Sequence, residues 1–588
     1  MSLELVDIDE ARTNRQSNSS KQRAALGSDL DVYDEAIADI VTKYLDEIDP
    51  KATGCPAPEP YEVKREILQR TNSHLEALNL ELHGPERYAR LKTLLPSQIA
   101  SILVRLHHCV MISAQGIGSS RDYDSLAIYV DHGADEGLYV PSDNRIGQVA
   151  RTYNRELTIN GTKEIIHILR ESAPQVVRST DRDLVPCQQG IFDYASRTML
   201  PFSPEHILLS KNRTRFNPHA ESPVIIEPDG STWEVEAWMK TIVDDPELEQ
   251  LLWELIGAAV RPLVRWGKTA WFYNEGGNNG KGTLCELIRQ VIGEGSVASL
   301  PLKHFGKDFR LEPLINASAI IVDENAVGTF IDDVAELKAI VTNDIISINR
   351  KGRIPINYRF WGLMIQCLNE FPQIRDRSDS FYRRQLFVPF EKSFEGAENK
   401  AIKDNYLQRK DVHEYVLKKV LLDLPEYYVL SEPEATKKVL AKYKEANDPV
   451  REFWSEHEEA FVWDLLPFSF LYDVYKAWYG KVSPSGKVQN QRTFTTSLLN
   501  IIRLSSTWHC KDRDTAVRPG NRMSTPELLI QKYDLSDWKR PGYTGNNIPL
   551  ACTPVPASKY RGIERYVSSG ASTDTATDDE LDNAEAAL

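Results

Sequence analysis

A glycine-rich loop beside a lysine is the clearest chemical pattern in this sequence. A short apolar segment, Trp271-Phe272-Tyr273, leads into a loop of glycines and asparagines that ends at Lys281, and apolar residues at helical spacing follow. Glycines let backbone N–H groups curl around phosphates, a helix N-terminus adds partial positive charge, and a lysine reaches the outer phosphates. The stretch therefore predicts a strand, a phosphate loop and a helix that bind ATP. The residues expected to contact ATP are Gly276, Gly277, Asn278, Asn279, Gly280, Lys281, Gly282 and Thr283.

The loop departs from the usual phosphate-loop pattern at two positions. Glu275 stands where the pattern has its first glycine, and Gly282 stands where it has the metal-binding Ser or Thr. Thr283, one place later, is the nearest hydroxyl and is the residue expected to meet Mg²⁺. A glycine-rich surface turn is the alternative interpretation of the loop taken alone.

A pair of acidic residues follows a second strand-like run. Residues 317–322 (ASAIIV) form a continuous apolar run typical of a buried parallel strand, and Asp323 and Glu324 come directly after it. We expect Asp323 to hold Mg²⁺, directly or through water, and Glu324 to orient and deprotonate the attacking water. Two solvated acids at a strand end are the alternative, which the nearby phosphate loop disfavours.

A third strand-like run, residues 361–368, ends at Asn369, and an arginine pair follows. A neutral amide at a strand tip can polarise the lytic water or contact the γ-phosphate, which gives Asn369 a catalytic role. Arg384 or Arg383 could reach the triphosphate of a neighbouring subunit and neutralise transition-state charge there. Taken by themselves, the arginines are better explained as solvated or phosphate-steering groups.

The segment between the acidic pair and Asn369 has the pattern of a β-hairpin. Residues 345–349 and 354–360 are rich in β-forming residues, and Arg350-Lys351-Gly352-Arg353 makes a basic turn between them. Such a turn contacts DNA phosphates whatever the sequence. Lys351 is the first candidate for DNA contact, followed by Arg350 and Arg353; a solvated hairpin end is the alternative.

The order of these motifs resembles superfamily 3 helicases, specifically the phage and plasmid primase–helicase group related to the poxvirus primase–helicase. The resemblance rests on the motifs above together with ELKAIVTNDIISINRKGRIPINYRF. It implies an ATP- and Mg²⁺-dependent helicase whose hairpin points into the channel of a ring that holds single-stranded DNA. Several members carry Gly after the loop lysine, as Gly282 does here, and Asn343 replaces a family glycine with a residue that tolerates positive φ. The resemblance also implies a hexamer that moves 3′ to 5′. It further implies that a host- or element-encoded primase and polymerase are partners.

The predicted fold class is α/β, built around an AAA+-like P-loop ATPase core in which a parallel sheet is flanked by helices. A mostly helical and then α/β region precedes the core, and a winged-helix-like domain follows it. A helix of that last domain is expected to expose Gln491, Arg492, Thr495 and Asn500, which makes Arg492 a candidate for contact with origin duplex; a helical lid or subunit-packing domain is the alternative. The expected parts are a disordered tail (1–28), a mostly helical region (29–123), an α/β domain (124–240), the ATPase/helicase core (241–395), a helical connector (396–440), the winged-helix-like domain (441–552) and a disordered acidic tail (553–588).

The composition sets outer bounds on function. A chain of 588 residues is long enough for about three or four domains. Its formal net charge of −15 argues against a protein coated in nucleic acid, but not against a ring with basic groups inside a channel. Seven scattered cysteines without a CxxC pair argue against a disulfide framework or a cysteine zinc site. With no signal-like or long apolar segment, we expect a soluble cytoplasmic protein without a membrane partner.

The resulting hypothesis is a ring-forming, ATP-dependent DNA helicase that replicates a phage, plasmid or integrative element. No primase domain is expected, because the mostly helical region is too short to hold one. Two alternatives stay open. One is an ATP-switched initiator or loader that binds origin DNA without processive unwinding, and the other is a non-catalytic DNA-binding scaffold whose phosphate loop has decayed.

Overall fold

The computed structural model describes residues 35–566, apart from 332–333, 375, 377 and 483–487. The chain divides into two compact units, one ending at Leu440 and one beginning at Ala441. The tail expected at 1–28 and most of the tail expected at 553–588 lie outside the described residues. Within the part of the chain that is described, no helix has the length and apolar character needed to span a bilayer.

The N-terminal unit begins with helices packed on a small mixed sheet. Its elements are α1 (35–47), α2 (Pro50–Thr53), α3 (Pro60–Leu78), α4 (Pro96–Leu106), β1 (Val110–Ser113), β2 (Ser125–Tyr129), β3 (Tyr139–Val140), α5 (Asp143–Tyr153), α6 (Ile159–Ser172) and β4 (Gln175–Val177). The sheet order is β3-β2-β1-β4, with β4 parallel to β1 and the other pairs antiparallel. One apolar cluster contains Ile67 of α3, Ile102 of α4 and Met111 of β1. The helices and the sheet therefore share a core.

Two small antiparallel sheets and two helices lead to the central domain. They are β5 (Leu184–Cys187), β6 (Gly190–Asp193), β7 (Thr198–Leu200), β8 (Ile225–Ile226), β9 (Thr232–Trp233), α7 (Val235–Ile242) and α8 (Pro246–Val260). Helix α8 begins with two residues typical of helix N-termini. The Asp245 side chain accepts a hydrogen bond from the Glu247 N–H, and Pro246 occupies the first turn, where its missing N–H costs nothing.

The central domain is a five-stranded parallel sheet with helices and a hairpin inserted between strands. Its elements are β10 (Thr269–Tyr273), α9 (Lys281–Ile292), β11 (Val297–Ala298), β12 (Ala319–Val322), β13 (Phe330–Ile331), α10 (Val334–Val341), β14 (Ile345–Ile348), β15 (Ile356–Arg359), β16 (Leu363–Leu368), β17 (Gln373–Ile374), α11 (Asp379–Tyr382) and β18 (Gln385–Pro389). The sheet order is β11-β12-β16-β10-β18, all parallel. Strands β14 and β15 form the expected antiparallel hairpin, and β13 pairs with β17. The expected parallel α/β core is therefore confirmed.

Two of the three expected strands, β12 and β16, begin two residues later than their apolar runs do, at Ala319 and Leu363. Every residue of β12 and β16 is buried, as expected for strands covered on both faces. Strand β16 starts only after Gly362, which has φ +155° and lies so close to the neighbouring chain that an added Cβ would be 2.0 Å from the Ser318 carbonyl oxygen. The glycine thus permits a close backbone approach that no other residue allows.

The C-terminal unit combines helices with a three-stranded antiparallel sheet. The N-terminal unit ends with α12 (Lys400–Asp404) and α13 (Lys410–Lys418), and α14 (Glu434–Asn447) spans the boundary between the units. The C-terminal unit continues with α15 (Pro449–His457), β19 (Leu465–Pro467), α16 (Phe468–Val482), α17 (Gln491–Ile502), β20 (Trp508–His509), α18 (Leu529–Lys532), α19 (Ile548–Ala551) and β21 (Gly562–Arg565). Its sheet order is β19-β21-β20. The expectation that residues from 553 onward form a disordered tail is wrong at β21, which is an ordered strand inside that range. Ile563 is fully buried, and β21 is the central strand of this sheet.

Candidate functional site

Lys281 is the first residue of α9 and lies beneath the phosphate loop. Its ammonium group donates hydrogen bonds to Asn274 O at 3.1 Å, Leu368 O at 3.1 Å and Asn369 Oδ1 at 2.7 Å. The residue is 6 % exposed, and burial lowers the pKa of the ammonium group below the ordinary lysine value. Two residues predicted separately from sequence, Lys281 and Asn369, are therefore in direct contact.

The register of the sheet explains this contact. Strands β10 and β16 run in parallel with Tyr273 opposite Leu368, so the loop after β10 and Asn369 after β16 leave the sheet at the same level. The carboxyl edge of a parallel sheet is where α/β proteins place their ligand sites. The phosphate loop and the amide thus face each other across one edge.

Side-chain amides hold the loop in shape while leaving its backbone donors free. Asn279 Nδ2 donates to Gly276 O and Asn278 Nδ2 donates to Glu398 Oε1, both at 2.9 Å. Asn278 and Gly280 have φ of +52° and +85°, values that suit asparagine and glycine. Among the described residues, the N–H groups of Gly277, Asn278 and Asn279 find no acceptor. Those of the first turn of α9 are unpaired by helix geometry.

The two positions after Lys281 differ in what they offer a metal. Gly282 carries no hydroxyl, although an added Cβ there would meet no atom within 4 Å. A side chain is therefore sterically possible at this position. Thr283 is half-buried on the first turn of α9, and its hydroxyl stays the predicted metal ligand.

Asp323 directly follows β12 and is paired with an arginine of α9. The Arg289 guanidinium donates to both Asp323 carboxylate oxygens at 2.8 Å. Burial lowers the pKa of the Arg289 guanidinium and the bond to Asp323 raises it, with a net rise. Arg289 is eight residues beyond Lys281, about 12 Å along the helix axis. The predicted metal ligand is therefore engaged by a cation in this structure.

The two residues after Asp323 differ in burial. Glu324, the predicted general base, is exposed. Asn325 is buried, accepts a hydrogen bond from Leu302 N–H at 2.9 Å and donates to Gln366 Oε1 at 3.0 Å. These bonds fix the chain after β12 and thereby the position from which Glu324 projects.

The arginine pair lies at the opposite end of the sheet from the phosphate loop. Gln385, the first residue of β18, pairs with Thr269, the first residue of β10, whereas the loop follows the last residue of β10. The five residues between span roughly 16 Å. Arg383 is exposed, while Arg384 is half-buried and donates to the Ser380 carbonyl. Neither arginine can therefore reach the loop of its own chain.

The basic turn of the hairpin, residues 349–355, is largely exposed. Lys351 and Arg353 project into solvent, and Gly352 supplies the turn with φ +69°. Arg350 is different: its Nη2 and Nε donate to Ile354 O at 2.7 and 3.2 Å, so it closes the turn. Asn343, at the foot of the hairpin, has φ +56°, which confirms the reason given for asparagine there.

Arg492 lies at the start of α17 in the C-terminal unit. It lines an open cleft of about 480 Å³ together with Arg513, Lys559, Arg561 and one acid, Asp514. The expected exposure of the helix is confirmed for Gln491, Arg492 and Asn500. It is wrong for Thr495, which is 5 % exposed because it shares the apolar face of Leu498 and Ile502.

Three residues with a part in this site were not found from sequence. Asn274 shapes the loop, since its Oδ1 accepts the Gly276 N–H at 2.5 Å and its carbonyl accepts from Lys281. Arg289 binds Asp323, and Asn325 anchors the chain beside Glu324. The asparagines follow strand ends, a signal that could have drawn attention to them. Arg289 gives no such signal, because its partner depends on the order of the strands.

Comparisons with known proteins match two separate parts of the chain. Residues 272–384 match a family described as a family of unknown function (DUF5906), and residues 445–540 match one described as poxvirus D5 protein-like. The first match covers the loop, the acidic pair, the hairpin, Asn369 and the arginine pair. A search of curated proteins finds no match.

Solved structures of an NrS-1 C-terminal region are among those to which this chain is similar. The apo structure of residues 305–718 has 14 % identity and a TM-score of 0.41, covering 72 % of this chain and 97 % of that one. An A-form apo structure has 14 % identity and a TM-score of 0.40, covering 72 % and 96 %. Of the comparisons, the match at 445–540 relates part of the C-terminal unit to the poxvirus D5-like proteins.

Proposed function

We propose that this chain is an ATP-dependent DNA helicase. The observation that carries the proposal is the buried Lys281 ammonium group at the start of α9, 2.7 Å from Asn369 Oδ1 and beneath a loop with free N–H groups. The relation to poxvirus D5-like proteins supports a role in replication. The motif order that resembles superfamily 3 helicases supports DNA unwinding as the work that ATP drives.

The loop fits a triphosphate through its donor chemistry. Free N–H groups of the loop and of the first turn of α9 would bind phosphate oxygens, and the helix dipole favours the same charge. Lys281 now donates to neutral protein oxygens, which phosphate oxygens can replace at a gain in charge stabilisation. Asn369, released from Lys281, would then contact the γ-phosphate and the attacking water.

Mg²⁺ would be held by the Thr283 hydroxyl and the Asp323 carboxylate, oxygen donors of the kind this ion prefers. When bound, the ion supplies charge neutralisation between the outer phosphates. Arg289 occupies both oxygens of Asp323 in the structure, so Asp323 must either leave Arg289 or reach the metal through water. Glu324, exposed beside Asp323, would orient the attacking water and accept its proton.

The position of the arginine pair supports assembly into a ring. Since Arg383 and Arg384 lie at the far end of their own sheet, they can stabilise transferred charge only on the nucleotide of a neighbouring subunit. The more exposed Arg383 is the better placed of the two. A hexamer that moves 3′ to 5′ is the form expected from the superfamily 3 resemblance.

Contact with DNA is assigned to two basic surfaces. Lys351 and Arg353 at the exposed hairpin turn would hold the phosphates of a single strand during the hydrolysis cycle, with Arg350 keeping the turn closed. In the C-terminal unit, helices followed by an antiparallel sheet and the cleft around Arg492 suit a winged-helix-like domain on origin duplex. That cleft also favours the second candidate function, an ATP-switched initiator or loader.

Measurement of ATP turnover by the purified chain tests the enzyme assignment. Lys281→Ala should abolish turnover, and Glu324→Gln should reduce it by about a hundredfold or more while ATP still binds. Lys307→Ala, which changes an exposed lysine outside the site, is the control and should turn over ATP normally. Turnover that survives Lys281→Ala would overturn the site assignment, and a wild-type chain without turnover would favour the non-catalytic scaffold.

A further inference from the structure

Two adjoining clefts in the N-terminal unit form a basic groove beside the hairpin. One, a narrow cleft of about 50 Å³, is lined in part by Arg178, Arg359 and Asn357, and the other, of about 360 Å³, is lined in part by Arg182 and Arg265. Both clefts are lined by Thr180 and Trp361, so they adjoin each other. We call them together the arginine groove.

The charge of the arginine groove is unusual for this chain. Four arginines and no carboxylate residue are found among its lining residues, whereas the whole chain has 85 acidic and 70 basic residues. Two acids stand beside the lining without belonging to it: Asp183 and Glu426 both accept a hydrogen bond from the Tyr428 hydroxyl. Arg182 Nε is 3.9 Å from Asp183, a distance that leaves most of its donors available.

Aromatic rings hold two of the arginines in place. The Arg182 guanidinium lies 3.9 Å from the centre of the Tyr428 ring, and the Arg265 guanidinium lies 5.2 Å from that of Trp361. Both arginines are exposed. A guanidinium that rests on an aromatic ring keeps its N–H fork free for an anion, and it loses less rotamer freedom when it binds.

Further positive charge lies beneath and beside these rings. Arg261 is fully buried, 4.9 Å from the Tyr428 ring, and among the described residues its Nε and Nη2 have no hydrogen-bond partner. In the adjoining cleft, Arg178 donates to the Tyr358 hydroxyl at 3.3 Å, and its Nε likewise has no partner within the described part of the chain. These nitrogens are buried, so they add positive charge beneath the groove without contacting a ligand themselves.

The arginine groove also adjoins the surface already assigned to DNA. Asn357, Tyr358 and Arg359 belong to β15, the strand that leads away from the basic turn. Arg353 in the turn and Tyr358 in the groove are five residues apart, roughly 17 Å along an extended strand. One nucleic-acid strand could therefore contact both places.

We propose that the arginine groove binds a single strand of nucleic acid through its phosphates. A positively charged groove that follows the phosphate backbone is part of the surface by which proteins bind single strands without sequence preference. The inference rests on the proposed function only in taking DNA as the polymer; it needs no ATP hydrolysis.

The test measures binding of a fluorescently labelled oligothymidylate of 20 nucleotides by anisotropy, without ATP, over a range of salt concentrations. The double variant Arg182→Ala/Arg265→Ala should bind about tenfold more weakly. The slope of the logarithm of affinity against the logarithm of salt concentration should fall in magnitude by about 1.4, because each phosphate contact on a single strand contributes about 0.7. Arg182→Lys with Arg265→Lys keeps the charges and should restore most of the slope. The matched control is Arg65→Ala with Arg151→Ala, two exposed arginines outside the groove, one of which lies 6.0 Å from the Tyr61 ring.

The outcomes separate this inference from the proposed function. Unchanged affinity and slope in the folded Arg182/Arg265 double alanine variant would overturn the inference even if the chain hydrolyses ATP. Lys281→Ala should keep groove binding, so a chain without ATP turnover can still confirm it. Competition by free ATP or pyrophosphate that equals the oligonucleotide in potency would assign the groove to a small ligand instead.

Photo-crosslinking of the unmodified chain covers the case in which the double variant does not fold. An oligothymidylate with 5-iodouracil at successive positions should attach to the peptide that contains the half-buried Tyr428. Attachment confined to other peptides, including that of the hairpin turn, would contradict the inference.

Discussion

Replacement of Arg289 by Gln tests whether Asp323 is a metal ligand. Both Asp323 oxygens accept hydrogen bonds from the Arg289 guanidinium at 2.8 Å, so a Mg²⁺ ion at this carboxylate competes with the pair. The Arg289 side chain is 13 % exposed and that of Asp323 is 44 % exposed, which weakens the pair by solvent screening. A half-exposed bidentate pair of this kind contributes about 1 kcal/mol. Since 1.4 kcal/mol is a factor of ten, the variant should need about fivefold less Mg²⁺ for half-maximal ATP turnover.

The assay is steady-state ATP turnover titrated with Mg²⁺ at a fixed, saturating ATP concentration. Arg409→Gln is the matched control, because it removes a bidentate pair with Asp411 in the helical connector and should leave the Mg²⁺ requirement unchanged. Asp323→Asn should raise the requirement. If Arg289→Gln left it unchanged or raised it, competition between arginine and metal would be refuted, and a positioning role for Arg289 would replace it.

Three further predictions concern the stability and the chemistry of the central domain. Gly362→Ala should lower the free energy of unfolding by about 3 kcal/mol or more, because the new Cβ would lie 2.0 Å from the Ser318 carbonyl oxygen. Denaturant unfolding measures this, and Gly295→Ala is the control because a Cβ added at Gly295 meets no atom within 4 Å. Gly282→Ser should fold with an unchanged or slightly higher melting temperature and keep ATP turnover, since its side chain has open space; a lower melting temperature would contradict this. Lys281→Met should abolish turnover, and it removes a group whose pKa in the folded state lies below 10.5. Because the unfolded chain then binds more protons at this lysine than the folded chain does, the wild type should gain stability relative to the variant as pH rises from neutral toward 10.5. A stability difference that stays constant over that range in thermal unfolding would contradict the burial of a charged lysine.

Much of the central domain was predictable because buried parallel strands are continuous apolar runs. The runs that became β10, β12 and β16 end next to the residues proposed to bind and hydrolyse ATP, and parallel strands place such ends on one edge of the sheet. The contact between Lys281 and Asn369 follows from that placement. The hairpin followed from two β-rich segments around a basic, glycine-containing turn.

Contacts that depend on strand order could not be predicted. Arg289 reaches Asp323 only because β12 lies two strands from β10 in the sheet, which no local pattern reveals. The arginine groove joins segments that are distant in sequence, so its charge pattern is invisible along the chain. Thr495 is a different case: it lies three and seven residues before Leu498 and Ile502, and helical periodicity could have placed it on the buried face.

Displacement of a strand from forked DNA by the purified chain tests the central claim most directly. We expect displacement that needs ATP and Mg²⁺ and that is lost in Glu324→Gln. Lys351→Ala should also abolish displacement while ATP turnover and origin binding persist, and Lys303→Ala, an exposed lysine outside the hairpin, should behave as the wild type. ATP hydrolysis without displacement by the wild-type chain would contradict the helicase assignment and favour the initiator, and the absence of both activities would contradict the account of the phosphate loop itself.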